Sequence, residues 1–177
     1  MAAPVLALVA IAMRLSGDTG PFFYRAPRVG QGDTFMVLKV RTMTAGAAGS
    51  KVTLANDPRV TKVGRILRRY RLDELPQLVN VIRGEMSLVG PRPEDPAYVD
   101  MADPLHVRVF SAKPGITGLA QLAYHDEADL LAGPDADQRY RREILPAKLK
   151  LDAEYLDHRT ALLDIKILTR TARTILR

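Results

Sequence analysis

The sequence has no cysteine and no tryptophan. Without cysteine there is no disulfide, no thiol nucleophile and no thiolate zinc site. Aromatic residues make up 6% of the chain and do not interleave with its Lys/Arg clusters. That weakens a nucleic-acid reading based on stacking against bases. Long apolar runs are missing too. The opening stretch "MAAPVLALVAIAM" carries no charged side chain, but it is shorter than the roughly 20 residues a spanning helix needs. No basic region precedes it, so it makes a poor secretory signal. Internal repeats and low-complexity linkers are absent.

What is present describes a globular protein. A length of 177 residues with 47% hydrophobic and 26% charged side chains suits one domain with its own core. The net charge of +6 and pI near 9.8 point to an anionic partner: nucleic acid, acidic lipid or a phosphorylated small molecule.

The first thirteen residues read as a buried helix or as a segment dipping into one leaflet, with Arg14 at the water boundary. "PFFYRAPRVGQGDTFMVLKVRTM" holds two β-rich runs around "GQGD" and predicts a β-hairpin. Gly30-Gln31-Gly32 is not a dinucleotide fingerprint, because no third glycine and no helix follow. "TAGAAGSK" reads as a small-residue, mobile loop. "NDPRVTKVGRILRRY" predicts a helix capped by Asp57, with Pro58 in its first turn. Val63, Ile66, Leu67 and Tyr70 fall on one face of it, and Arg65, Arg68 and Arg69 on another. "DELPQLVNVIRGEM" predicts a second helix ending near Gly84. "SLVGPRPEDP" is a turn-rich connection, and "KPGITGLAQL" a loop and strand. From Asp135 the pattern is helical again, with Pro146 at the start of one segment. The last segment carries a stripe of Leu162, Ile165, Leu168, Ala172 and Ile175 beside Lys166, Arg170, Arg173 and Arg177. Such a helix lies on a membrane surface or packs on the core with a solvated basic side.

The chemistry concentrates in "RRYRLDELPQLVNVIRGEMSLVGPRPE", Arg68 to Glu94. Asp73 and Glu74 stand side by side after a burst of arginines. As a helix cap, Asp73 would find Pro76, which has no N–H, at the third position, and no capping-box acid. Its carboxylate is then less committed to the backbone and stays ionised beside the arginines. Cap, nucleophile and metal ligand all remain open for it on spacing alone. Arg92, held between Pro91 and Pro93, sits on a stiff backbone suited to two-point recognition of a phosphate or carboxylate.

The run "DPRVTKVGRILRRYRLDELPQLVNVIRGEMSLVGPRPE", with "LKVRTM" before it and "KPGITGLAQL" after it, closely resembles the bacterial sugar transferases, the monotopic phosphoglycosyl transferases that act on polyprenol phosphate. The resemblance runs from about Ala3 to the last helix. It implies transfer of a sugar-1-phosphate from a UDP-sugar to undecaprenyl phosphate, with release of UMP, as the first step of exopolysaccharide, O-antigen or glycan assembly. It implies two catalytic residues: Asp73 as nucleophile through an aspartyl-phosphosugar intermediate, and Glu74, which with Asp73 holds Mg²⁺ or else positions the acceptor. Arg68 and Arg92 match family arginines near the phosphates and nucleotide. Lys39 and Arg41 match an element that serves folding or substrate.

Two departures stand out. Family members usually begin with a longer apolar helix broken at Ser-Pro. Here Ala3-Pro4 stands at that break and the preceding half is missing, through trimming, a misassigned start or another hold on the membrane. Where many members continue to Gly-Arg-Asn, this chain has "GLAQLAYHDE", with Leu119 for a tryptophan and His125 near the expected arginine as a substitute donor. His106 and His158 read as structural.

The expectation is therefore an α/β, mostly helical single domain with a short β-hairpin, a membrane-associated amino-terminal helix at 1–20, a catalytic core at 21–134 and amphipathic helices at 135–177. It should lie on the cytoplasmic face of the bacterial inner membrane, with lipids among its partners and no nucleic acid. A homo-oligomer stays open. The alternative is an inactive family member serving as a scaffold in polysaccharide assembly.

Overall fold

Alternating side chains around a Gly-containing turn build the first element seen in the computed structural model. It describes residues 2–176 apart from 48, 50, 51, 55, 132 and 134. Strands β1 (Phe23–Gly30) and β2 (Asp33–Val40) pair antiparallel, from Phe23 opposite Val40 to Gly30 opposite Asp33. Gln31 and Gly32 both take positive φ, 55° and 77°. That is the turn hand which matches the twist of a two-residue hairpin.

Helix α1 (Ala2–Leu15) precedes the hairpin. It packs Val9 and Met13 against Val40 of β2 and Leu67 of α2 (Lys62–Arg69). Its other face leaves Leu8, Ile11 and Leu15 exposed. No described helix is long and apolar enough to cross a membrane.

Helix α2 begins later than the sequence suggests. Its cap is Thr61, whose hydroxyl accepts the Gly64 N–H at 2.9 Å. Asp57 is instead buried and closed off by Arg59, which reaches it at 2.6 and 2.9 Å. A Cβ at Gly64 would overlap the Thr42 carbonyl, so glycine lets α2 lie directly on the chain leaving β2. The expected apolar face of α2 is split. Val63 and Leu67 turn inward, while Ile66 and Tyr70 are exposed.

After α2 a single 3₁₀ turn (Leu72–Glu74) leads to α3 (Gln77–Ile82). Gly84 follows with φ 79°, the left-handed exit expected there. The connection thought to be turn-rich contains β3 (Ser87–Val89), which pairs in parallel with β4 (Gly115–Thr117). The intervening chain carries α4 (Pro104–Phe110), capped by Asp103. Short helices α5 (Leu119–Ala123), α6 (Glu127–Leu130) and α7 (Ala136–Arg139) follow.

Helix α7 runs through a π-helical turn (Tyr140–Ile144) into α8 (Leu145–His158). Pro146 stands in the first turn of α8, as expected, although that helix continues from α7 instead of starting free. It lies just past the wide turn, where the Leu145 N–H bonds the Tyr140 carbonyl five residues back. A missing proline N–H is tolerated where the helical ladder is already interrupted.

Helix α9 (Ala161–Ile175) ends the described chain. Its expected stripe faces outward: Leu162, Ile165 and Leu168 are exposed, and the core contact is made by Leu163 and Ile167. Arg177 of the basic side, residue 1, residue 134 at an expected boundary and residues 48, 50 and 51 of the small-residue loop lie outside the described residues.

Helices occupy about half of this small single domain. Three apolar clusters hold it: α1–β2–α2, β3–α8–α9, and a larger one under α4, the π turn and α8. The Asp-Glu turn and the Gly-Pro-Arg-Pro turn lie between them.

Candidate active site

Arg71 makes the site possible. It follows α2 with φ 53°, a left-handed conformation that a side-chain-bearing residue adopts at a cost of roughly 1–3 kcal/mol. That kink ends α2 and swings the next turn inward. Asp73 and Glu74 are consequently only 8% and 7% exposed. Asp73 is therefore not a helix cap: it lies inside the 3₁₀ turn, three residues before Pro76, which holds the cap position of α3.

Glu74 is wrapped in positive charge. Its Oε1 lies 3.1 Å from Lys39 Nζ and 3.4 Å from an Arg92 terminal nitrogen, and its Oε2 lies 3.7 Å from Arg71. Burial pulls the Glu74 pKa up, but Lys39, Arg92 and Arg71 overcome it and hold Glu74 well below the usual carboxylate range. Glu74 is a fixed anion. Asp73 behaves oppositely. Burial raises its pKa, the Glu74 charge raises it further, and Lys39, Arg68 and Arg71 oppose both without prevailing. The neighbouring arginines thus do not hold Asp73 at an ordinary carboxylate value. Its Oδ1 is buried and has no hydrogen-bond partner.

Lys39 reaches the carboxylates from β2, and burial lowers its pKa. Arg68 points from α2 to the Thr42 hydroxyl at 2.8 Å and feels the charge of Asp73. Arg92 comes from the other side, on the turn after β3. Four of the residues singled out in the sequence, Lys39, Asp73, Glu74 and Arg92, are thus brought together, with Arg68 close by.

Two others are not. Arg41 is only 8% exposed. Its guanidinium binds the Pro21 and Met43 carbonyls at 2.6 and 3.0 Å and the Asp18 carboxylate at 2.5 Å. Arg41 is a strut between the end of α1 and the chain after β2. His125 is exposed and pairs with Asp126 at 2.7 Å, and no described contact joins it to the carboxylates. His106 accepts the Asp100 N–H and stacks on Phe110, as a structural histidine would.

The structure adds residues that sequence reasoning missed. Glu94, Tyr140 and Lys148 form a buried chain behind Arg92, ending on the partly exposed Glu127. The Tyr140 hydroxyl donates to Glu94, and Lys148 donates to Tyr140 at 3.1 Å and to Glu127 at 2.6 Å. Asp152, one helical turn after Lys148, accepts the Arg92 backbone N–H at 3.1 Å. Burial pushes the Asp152 carboxyl up to about 7. A signal was present: Lys148 and Asp152 share the helix face of the buried Leu145 and Leu149, where charged residues survive only when paired.

No described group of three or more His, Cys, Asp or Glu side chains could hold a metal by itself. Mg²⁺, however, is commonly held by one or two carboxylates plus substrate phosphates and water. The open Asp73 Oδ1 fits that pattern, and Glu74 adjoins it. A buried, partly uncompensated carboxylate beside fixed cations is an arrangement able to meet a phosphate.

Comparison with known proteins gives the same direction. The profile described as bacterial sugar transferase matches residues 1–177. A UDP-glucose:undecaprenyl-phosphate glucose-1-phosphate transferase of Caulobacter vibrioides is 40% identical over 98% of this chain and 63% of its own length. A protein of the same description from Escherichia coli is 40% identical over 95% of this chain and 35% of its own. A UDP-N-acetylgalactosamine-undecaprenyl-phosphate N-acetylgalactosaminephosphotransferase of Aeromonas hydrophila is 35% identical over 98% and 39%. The chain thus spans between about a third and two thirds of these longer relatives, and it belongs to the bacterial sugar transferase family.

Proposed function

We propose that the chain is a phosphoglycosyl transferase that moves a sugar-1-phosphate from a UDP-sugar to undecaprenyl phosphate, initiating a surface polysaccharide or glycan. The observation that carries this is Asp73: a buried carboxylate with one oxygen unpartnered, set beside an anion already neutralised by Lys39, Arg71 and Arg92. An Asp73 oxygen attacks the phosphorus that bears the sugar. The bond to the bridging oxygen breaks and UMP leaves with the electron pair, giving an aspartyl-phosphosugar. A phosphate oxygen of the polyprenol then attacks the same phosphorus and returns the Asp73 carboxylate. Division into two displacements replaces one difficult transfer with two easier ones.

Desolvation that raises the Asp73 pKa also leaves its anion poorly solvated and reactive once formed. Lys39 and Arg92 neutralise charge at the phosphates, and the pairing with Glu74 fixes where they do so. A Mg²⁺ ion bound at Asp73, assisted by Glu74, would neutralise the diphosphate and stabilise departing UMP.

The exposed apolar faces of α1 and α9 suit a hold on one leaflet at the cytoplasmic face, where a polyprenol phosphate is met. Replacing Ile165 and Leu168 with serine should weaken sedimentation with anionic vesicles roughly tenfold. UMP release from a panel of UDP-sugars, with undecaprenyl phosphate in detergent, tests the activity. A one-sugar-phosphate mass gain on the peptide containing Asp73 tests the intermediate. An adduct on Glu74, or none with an active enzyme, overturns the assignment.

A further inference from the structure

Among the described residues, the buried side-chain atoms left without a hydrogen-bond partner are Asp73 Oδ1, Asp152 Oδ1 and both polar atoms of the Gln121 carboxamide. Native interiors leave few such groups, and each calls for a cause. These share one surrounding, the Arg92 turn. Asp73 adjoins Glu74, which binds the Arg92 guanidinium. Asp152 accepts the Arg92 backbone N–H and also the N–H of Ala120, the residue before Gln121. Gln121 packs against Gly118, where a Cβ would come within 2.7 Å of Gln121 Oε1 and would overlap the carbonyl of Gly90, the first residue of the same turn.

We infer that Gln121 is a specificity-determining residue that reads the in-plane donor–acceptor edge of the uracil base of the UDP-sugar, with Asp152 bordering the same subsite. The inference rests on the transferase reading above. The two ends of the Arg92 residue sort the ligand. Its guanidinium meets Glu74 beside Asp73, where the phosphate under attack must lie, and its backbone end meets Asp152. In a UDP-sugar the sugar is bonded to that phosphate, whereas the base lies beyond a second phosphate and a ribose. The remote end therefore belongs to the base.

A carboxamide presents one acceptor and one donor side by side. It complements an imide that offers N–H and C=O in the same plane, as glutamine does at base edges in nucleic acids. All of these groups are covered in the free chain, Asp73 included, so donor entry opens the segment bordering them.

The test is calorimetric titration of the whole chain with UMP and with N3-methyl-UMP, which lacks the imide proton, paired with UMP-release kinetics. Wild type should bind UMP about tenfold or more tighter than the methylated nucleotide. Gln121→Met, of similar volume, should bind the two alike and raise KM for the UDP-sugar by a similar factor while kcat changes little. Wild-type binding that ignores the methyl group overturns the inference without any variant. So does a Gln121→Met protein that keeps the wild-type discrimination, or one that loses kcat at unchanged KM. If wild type releases UMP but one of these results is found, only the Gln121 assignment fails. If wild type neither binds UMP nor releases it from any UDP-sugar, the transferase reading fails with it.

Discussion

Asp57 and Asp73 are both buried aspartates next to arginines, and they do opposite things. The Asp57 carboxylate is filled by the Arg59 guanidinium from two directions and by the Arg59 backbone N–H at 2.9 Å. Its pKa is lowered, chiefly by the Arg59 side chain. Asp73 has more cations within reach, yet Lys39, Arg71 and Arg92 are committed to Glu74 and Arg68 bonds Thr42, so Asp73 keeps an empty oxygen and a raised pKa. Proximity of positive charge is therefore not what separates a structural acid from a reactive one. What separates them is whether the surrounding donors have been spent, and on whom.

The most direct way to break this contrast is Asp73→Asn. Loss of a nucleophile should lower turnover by roughly four to six orders of magnitude, with the thermal melt unchanged or raised, because a desolvated acid is removed. An active, normally folded Asp73→Asn would make Asp73 another Asp57.

Next comes Arg92→Lys. A lysine keeps the charge but not the planar fork, so kcat/KM should fall by about 10²–10³-fold. Wild-type kinetics there would show that Arg92 serves Glu74 alone.

Asp57→Ala is the reverse case. It should cost about 2–3 kcal/mol through loss of charge-assisted hydrogen bonds, a drop of roughly 5–10 °C in Tm, while specific activity of the folded fraction stays level. A selective loss of activity would erase the distinction.

A change of slope, rather than a loss of activity or fold, sharpens the comparison through pH. Asp152 holds its proton to about pH 7 in the folded chain, against 3.8 for a free aspartate side chain. Between those values the folded state binds more protons, so this group lowers stability as pH rises, by up to about 1.4 kcal/mol per pH unit. Asp57, with a lowered pKa, supports stability at neutral pH and loses it only under strong acid. Denaturant melts from pH 4 to 7 should flatten in Asp152→Asn relative to wild type. An unchanged slope would place Asp152 with the ordinary carboxylates.

Local rules carried the sequence reading where neighbours in the chain decide the outcome. The hairpin at Gln31-Gly32 and the helix exit at Gly84 were legible because turn chemistry is local. The start of α2 was misjudged by a few residues, since Asp57 was available as a cap but a contact with Arg59 claimed it. The α9 stripe had the correct period, yet period does not say which of two apolar faces meets the core. Leu163 and Ile167 do so, and Leu162, Ile165 and Leu168 do not. At the site, Asp73, Glu74, Lys39 and Arg92 came from a motif. Tyr140, Lys148, Asp152 and Gln121 did not, because their meaning depends on partners such as Glu94 and Arg92, separated by 46 and 60 residues from Tyr140 and Asp152.

The parallel pairing of β3 with β4 has a consequence in time. The β1–β2 hairpin closes over two residues, but β3 waits for the chain through Thr117, and the Arg92 turn for Asp152 in α8. Contacts of long sequence separation form late because loop closure must precede their reward. On refolding, amides of Val37 and Lys39, at paired positions of the hairpin, should gain protection from hydrogen exchange before that of Arg92. A chain growing from its amino terminus carries its Asp-Glu turn well before the arginine opposite it has been fastened, so the charged centre matures long after the hairpin beneath it.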